Sequence, residues 1–187
     1  MNAPATLLPA PALADRDQRL LTAARQGDLD AFESLVRRHE RRVYSIAWHA
    51  LRDQMLAEEA AQDVFLQLHA HLARIESTAH LTAWLRRTTS HRVIDTLRAR
   101  RPVRSLDEVS EPHVESAPAD PLADRLVHRA LARLAPRPRL IVMLRYMEDL
   151  APTEIAETLG MSLNTVKSHL RRGLLVLRTR MQREVAR

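Results

Sequence analysis

Cysteine is absent from the 187 residues, which excludes disulfides, thiolate metal sites and cysteine nucleophiles. Aromatic residues make up only 3% and there are three glycines, so the chain lacks the material of strands and tight hairpins; Ala, Leu, Arg and Glu dominate, and an all-α protein is expected. No run of about 18 uncharged apolar residues exists, so no membrane insertion is expected. Residues 1–14 carry no cationic segment ahead of an apolar run and are interrupted by Pro4, Pro9 and Pro11. They read as a disordered extension, not an export signal, and the chain is expected to stay in the cytoplasm. At about 150 residues per domain the length allows one domain or two small ones, and 45% hydrophobic residues suffice for real cores.

Lysine is almost absent too: Lys167 stands alone among 29 basic residues, and the formal net charge is +6. A GC-rich genome would favour arginine over lysine, but it would not decide where the charges sit. Residues 1–85 carry a net −2, 86–104 +6, 105–124 −6, 125–163 +2 and 164–187 +6. Two basic patches therefore flank an acidic stretch, and a polyanionic partner is the first suspect.

The acidic stretch SLDEVSEPHVESAPADPLAD contains three prolines, no basic residue and no sustained apolar period. It reads as part of a flexible linker over 102–124. Helical periodicity over 15–101 and 125–183 places a small helical domain on each side. In the first, Leu29, Phe32, Leu35, Val36, Val43, Ile46, Ala47 and Ala50 recur at three- and four-residue spacing; Ala57, Ala60, Ala61, Val64, Phe65, Leu68 and Leu72 continue the pattern, then Leu81, Trp84, Leu85, Thr88, Val93, Ile94 and Leu97. Such stripes are expected to form the core.

The second domain is more specific. Helices are indicated at about 125–134 and 137–147, broken by Pro136. Pro152 suits a first helical position, Ile155 and Leu159 lie one turn apart, and Gly160 can end a helix in the left-handed conformation. Ser162 can cap the next helix, where Val166, Leu170 and Leu174 would form one buried stripe. Two short helices joined by a glycine turn make a helix-turn-helix. On the second helix Asn164, Thr165, Lys167, Ser168, His169, Arg171 and Arg172 are left facing outward, a set of amide, hydroxyl and cationic donors suited to base edges and phosphates. No acid occurs between Met161 and Arg183, whereas a merely solvated face would mix them in.

At this point the residues resemble a known family. LAPRPRLIVMLRYMEDLAPTEIAETLGMSLNTVKSHLRRGLLVLR is similar to region 4 of the extracytoplasmic-function (ECF) group of bacterial sigma factors. Upstream, DAFESLVRRHERRVYSIAW, AEEAAQDVFLQLHAHL and LTAWLRRTTSHRVIDTLRARR resemble their region 2. The resemblance implies a specificity subunit that binds core RNA polymerase, recognises and melts the minus-ten promoter element with region 2, and reads the minus-thirty-five element with region 4. It also implies an anti-sigma factor as a partner.

By the same resemblance Glu59, Gln62 and Asp63 would contact polymerase, and Trp84, Arg87, His91, Arg92, Arg98, Arg100 and Arg101 would contact DNA from region 2. Trp84 sits on a stripe with Leu81, Leu85 and Thr88, so packing competes with base capture there. A loop from Ile75 to His80 would receive an unstacked base. His91 stands where the family usually has Asn, His169 where it often has Arg, and Ala151 where a serine cap is usual. The linker acids Asp107, Glu108, Glu111, Glu115 and Asp120 would follow the path of nascent RNA.

Two other classes compete. A stand-alone helix-turn-helix regulator would use the first domain to dimerise or to sense a ligand, but the acidic Glu58–Asp63 stretch and the region 2 resemblance argue against it. An enzyme is suggested only by nine scattered histidines; His69 and His71 point to different faces of a helix, and no HExxH or phosphate-binding glycine loop occurs. No catalytic residue, metal or cofactor is expected.

Overall fold

A computed structural model describes residues 10–99 and 129–185. Among these residues the structure is helical: α1 (Ala10–Arg25), α2 (Leu29–Leu51), α3 (Gln54–His71), a short 3-10 turn (Leu72–Arg74), α4 (Thr78–Ala99), α5 (Pro136–Tyr146), α6 (Pro152–Leu159) and α7 (Leu163–Val185). Arg100, Arg101 and the linker 102–124, with its five singled-out acids, lie outside the described residues, as do 1–9 and 125–128. Helix α1 begins inside the segment expected to be a disordered extension, which corrects that expectation for residues 10–14. Pro11 falls in its first turn, where a missing N–H leaves no hydrogen bond unmade.

Local chemistry sets the helix ends. The Asp28 carboxylate accepts from the Ala31 N–H at 2.9 Å and starts α2, and Asp53 does the same for α3 through the Leu56 N–H at 3.1 Å. Between them Arg52 adopts φ +56°, a left-handed cap whose N–H returns to the Trp48 carbonyl. This reverses the chain without a glycine. Ala151 offers no side-chain oxygen to cap α6, so half of the reciprocal cap is lost. The other half is present, with the Ala151 N–H donating to Glu154 Oε2 at 2.7 Å. Gly160 ends α6 at φ +61°, and the Met161 N–H reaches back to the Ala156 carbonyl at 2.9 Å.

Packing makes one body of the described residues. One core cluster, including Leu21, Leu35, Val43, Val64, Leu68, Ile75, Leu81 and Leu85, holds α1–α4 together. A second joins Ile46, Ala47, Trp48, Ala57, Val93 and Ile94 of this bundle to Leu140, Ile141, Leu144, Ile155, Leu159, Val166 and Leu170 of α5–α7. The two helical units expected to be tethered are thus in direct contact, α5 and α6 resting on α2 and α4.

Periodicity misplaced two residues. Leu29 is 70% exposed at the first position of α2, while Ala31 in the same turn is buried. Leu174, expected in the buried stripe with Val166 and Leu170, is exposed, and Gly173 is buried in its place. A Cβ at Gly173 would lie 2.9 Å from the Val142 Cγ2, so glycine here permits the close approach of α7 to α5. Gly173→Ala should gain about 1 kcal/mol of helix propensity yet lose more to overpacking against a stiff valine. The expected net loss is about 1 kcal/mol, read from the urea midpoint.

Candidate nucleic-acid interface

Helix α7 projects from the turn at Gly160 with Ser162 as its cap, the Ser162 Oγ accepting from the Thr165 N–H at 3.2 Å and sharing a 2.8 Å hydrogen bond with the Thr165 hydroxyl. Ser162 and part of Thr165 are therefore spent on fixing the start of the helix. Val166 and Leu170 anchor it to the core, and the opposite face carries exposed Asn164, Thr165, Lys167, Arg171 and Arg172. Lys167 and Arg171 lie one turn apart and form no ion pair among the described residues. Ser168 and His169 are half-buried. The His169 Nδ1 is buried without a partner, and its pKa is lowered, first by burial and then by Arg172 and Arg137. His169 is therefore a neutral side chain turned partly inward, not the fully outward cationic contact that the sequence suggested.

Helix α4 carries the second basic face, and the structure divides it. Arg87 is exposed and forms no ion pair among the described residues. Arg98 is exposed and pairs with Asp95 at 3.1 Å. Arg92 is half-buried between two acids of α3, reaching Glu59 at 3.3 Å and Asp63 more closely. His91 faces the helix-turn-helix, its Nε2 lying 2.7 Å from the Thr158 carbonyl, which can only accept, so the ring N–H donates to it. Trp84 is half-buried against the α1–α4 core, with its ring 6.1 Å from that of His71, which supports a packing role.

The loop expected over Ile75–His80 is shorter than anticipated, since α4 starts at Thr78. Ile75 is fully buried. The Thr78 N–H donates to Gln18 Oε1 at 3.2 Å and the His80 N–H to Ser77 Oγ at 3.1 Å.

The expected trio Glu59, Gln62 and Asp63 is split between two faces of α3. Glu59 and Asp63 meet Arg92. Gln62 joins Glu58, Phe65, Leu66 and His69 along an open groove of about 980 Å³ between α2 and α3, whose far wall is Phe32, Val36, Glu40, Arg41 and Tyr44. Leu66 is 70% exposed at its edge, and His69 sets its ring edge-on to Phe32 at 5.1 Å. Burial, then Glu58, raises the Tyr44 pKa, so its hydroxyl is held neutral.

Sequence reasoning assigned Phe32, Val36 and Phe65 to the core and passed over Leu66. The available signal was angular: at about 100° per residue, positions 58, 62, 65, 66 and 69 share an arc that 59 borders and 63 leaves. Among the described residues no cluster of His, Asp and Glu is arranged to hold a metal, and no helix is long and apolar enough to cross a membrane.

Residues 35–103 match the family model for sigma-70 region 2, and residues 124–177 match that for sigma-70 region 4. The chain belongs to the sigma-70 family. Within it the chain is an ECF sigma factor. It is 31% identical over 166 residues to the ECF RNA polymerase sigma factor SigM of Mycobacterium tuberculosis, covering 83% of this chain and 80% of the relative. It is 23% identical over 180 residues to the ECF RNA polymerase sigma factor SigW of Bacillus subtilis, covering 88% and 96%. Among solved structures, the sigma factor RpoE of Bartonella quintana, crystallised with the anti-sigma factor NepR, shares the fold with a TM-score of 0.64 and 19% identity over 81% of this chain and 96% of that one. In family terms α1–α4 contain sigma region 2, and α5–α7 form sigma region 4 with α6 and α7 as its helix-turn-helix.

Proposed function

We propose that this sigma factor docks on core RNA polymerase through the groove between α2 and α3 and carries two DNA-reading faces to the promoter. In this reading α7 presents Asn164, Thr165, Lys167, Arg171 and Arg172 to the minus-thirty-five duplex. Arg87, Arg98 and the basic end of α4 engage the minus-ten element. Glu59 and Asp63, held by Arg92, complete the acidic border of α3 beside the groove. The observation that carries the assignment is the division of labour by charge: a largely apolar groove whose charged lining is Glu40, Glu58 and a single cation, Arg41, offers DNA little, while α7 carries no acid from Leu163 to Arg183 and exposes Lys167, Arg171 and Arg172. The protein acts without catalysis of its own, in the cytoplasm, and an anti-sigma factor is the natural competitor for the same groove.

The test reverses the groove and spares the fold. Glu58 and Leu66 are both exposed, so Glu58→Arg/Leu66→Arg should keep wild-type helicity. Losing one apolar contact and placing two bulky cations in the groove should weaken assembly with core polymerase by at least about 2 kcal/mol, roughly 30-fold. Glu59→Lys/Asp63→Lys, which acts on the neighbouring face and frees Arg92, should weaken it less. Wild-type co-purification of the Glu58/Leu66 variant with core polymerase would remove the groove from the docking site.

A further inference from the structure

Helix α1 precedes the span matched as sigma region 2, which begins at residue 35. It nevertheless grips the chain just ahead of α4. Gln18, Leu21 and Arg25, spaced i, i+3 and i+7, share one face of α1. Leu21 is fully buried in the cluster that also holds Leu72, Ile75 and Leu81. Gln18 Oε1 accepts the Thr78 N–H at 3.2 Å, and Arg25 Nη2 donates to the Ala73 carbonyl at 3.3 Å. One stripe of α1 therefore holds residues 73–78 by a polar tie at each end, with a shared core between them.

The two ties fall where the backbone needs partners. The first N–H groups of a helix have no acceptor within it. In α4 the Ser77 Oγ takes the His80 N–H at 3.1 Å, and the Thr78 N–H, left over by that cap, goes to Gln18 sixty positions earlier. The Ala73 carbonyl belongs to the 3-10 turn Leu72–Arg74, where Arg25 supplies a cationic donor. The segment also has local bonds, the Ile75 N–H to the Leu72 carbonyl at 3.1 Å and the Glu76 N–H to His80 Nδ1 at 3.4 Å. These shape the turn, and α1 supplies the polar ties that fix it against the bundle.

We infer that α1 belongs to the promoter-melting machinery: Gln18 and Arg25 are positioning residues that fix the turn 73–78, and with it the start of α4, before DNA arrives. This inference rests on the assignment of α4 to the minus-ten element. Bases that leave the duplex must be held against their tendency to pair and stack again. A helix start that is already fixed receives the strand without first being ordered, and ordering it at that moment would add to the barrier. Helix α4 is continuous from Thr78 to Ala99, so its first turn and the exposed Arg87 belong to one rigid rod. Neither Gln18 nor Arg25 needs to touch DNA to act in this way.

The test separates promoter opening from assembly. Holoenzyme is formed from core polymerase and the full chain, and opening of a duplex promoter used by the wild type is followed by permanganate reactivity of unpaired thymines. Gln18→Leu, which removes the acceptor at nearly constant size, should slow opening about three- to tenfold, and Gln18→Glu, which keeps it, should stay within about twofold of the wild type. Arg25→Met, which acts on the exposed tie, should slow opening less. Gln18 is half-buried and Arg25 exposed, so helicity and affinity for core polymerase should not change. On the same promoter with a mismatched, pre-opened minus-ten region, saturating holoenzyme should restore wild-type output. Wild-type opening by the Gln18→Leu/Arg25→Met chain overturns the inference, as does a defect that persists on the pre-opened promoter or is matched by an equal loss of assembly. Wild-type opening by Arg87→Ala/Arg98→Ala would instead remove α4 from the minus-ten site, so the two failures are distinguishable.

Discussion

Replacing Arg139 with alanine is expected to destabilise the folded chain by about 3 kcal/mol, the largest loss predicted for any single side chain here. Arg139 is only 7% exposed, and its guanidinium donates to the carbonyls of Leu131, Ala132, Leu134, Ala50 and His49. Ala50 and His49 end α2, where the last carbonyls of a helix have no partner within it. The carboxyl end of a helix also favours a cation.

Burial pushes the Arg139 guanidinium down to about 10, with Arg52 adding to the effect, so it is still charged at neutral pH. Its desolvation is offset by bonds to fixed dipoles. Alanine removes the cation and leaves these buried acceptors to whatever water can enter. Arg139→Lys should recover little, since an ammonium has three donors and lacks the planar fork that reaches carbonyls on two units at once. Urea unfolding followed by circular dichroism checks this, and an unchanged midpoint in Arg139→Ala would show that the carbonyls do not depend on it.

The second large effect concerns α7. Lys167→Ala/Arg171→Ala should weaken holoenzyme binding to minus-thirty-five duplex by about 2–4 kcal/mol. Removal of a base contact costs the same at every salt concentration. Removal of a phosphate contact reduces the salt slope by about one per charge. Both residues are exposed and lie one turn apart, opposite the buried Val166 and Leu170, so their loss leaves the packing of α7 intact. Fluorescence polarisation over a salt series separates the two kinds of contact. Arg37→Ala, an exposed residue of α2 paired with Glu33, is the matched control and should change neither affinity nor slope. Wild-type affinity in the double variant would exclude this face from promoter reading.

Much of this was legible without coordinates. Local rules operate over one or two turns and leave their marks in the sequence: Ser162 as a cap, Pro152 at a helix start and Gly160 in the left-handed turn occur where side-chain chemistry places them, and the Asp28 and Asp53 caps, which the sequence reading passed over, follow the same rule. The all-α fold followed from the shortage of aromatics and glycine. The cationic character of α7 followed from the absence of acids over 161–183. Periodicity identified buried Val43, Val64, Leu85 and Val166, because a helix that packs on one side must repeat its apolar residues at its own pitch.

Tertiary structure alone decided what each face meets. Leu174 and Gly173 are neighbours in one helix, and only the approach of α5 shows that the glycine goes inward and the leucine outward. Arg92 looked like a phosphate contact until Glu59 and Asp63 appeared beside it, 33 and 29 positions earlier in the chain. Arg139 read as one more cation in a basic domain, but the fold buries it against carbonyls some 90 residues away. Composition had suggested two helical units joined by a flexible linker, with nothing to say whether they touch. The structure stacks α5 and α6 on α2 and α4, because apolar side chains at the end of α2 and on the inner face of α4 are buried against those of region 4. A sequence records the pitch and the caps of each helix; the partner of a given side chain depends on a surface assembled from distant segments, and no local pattern specifies it.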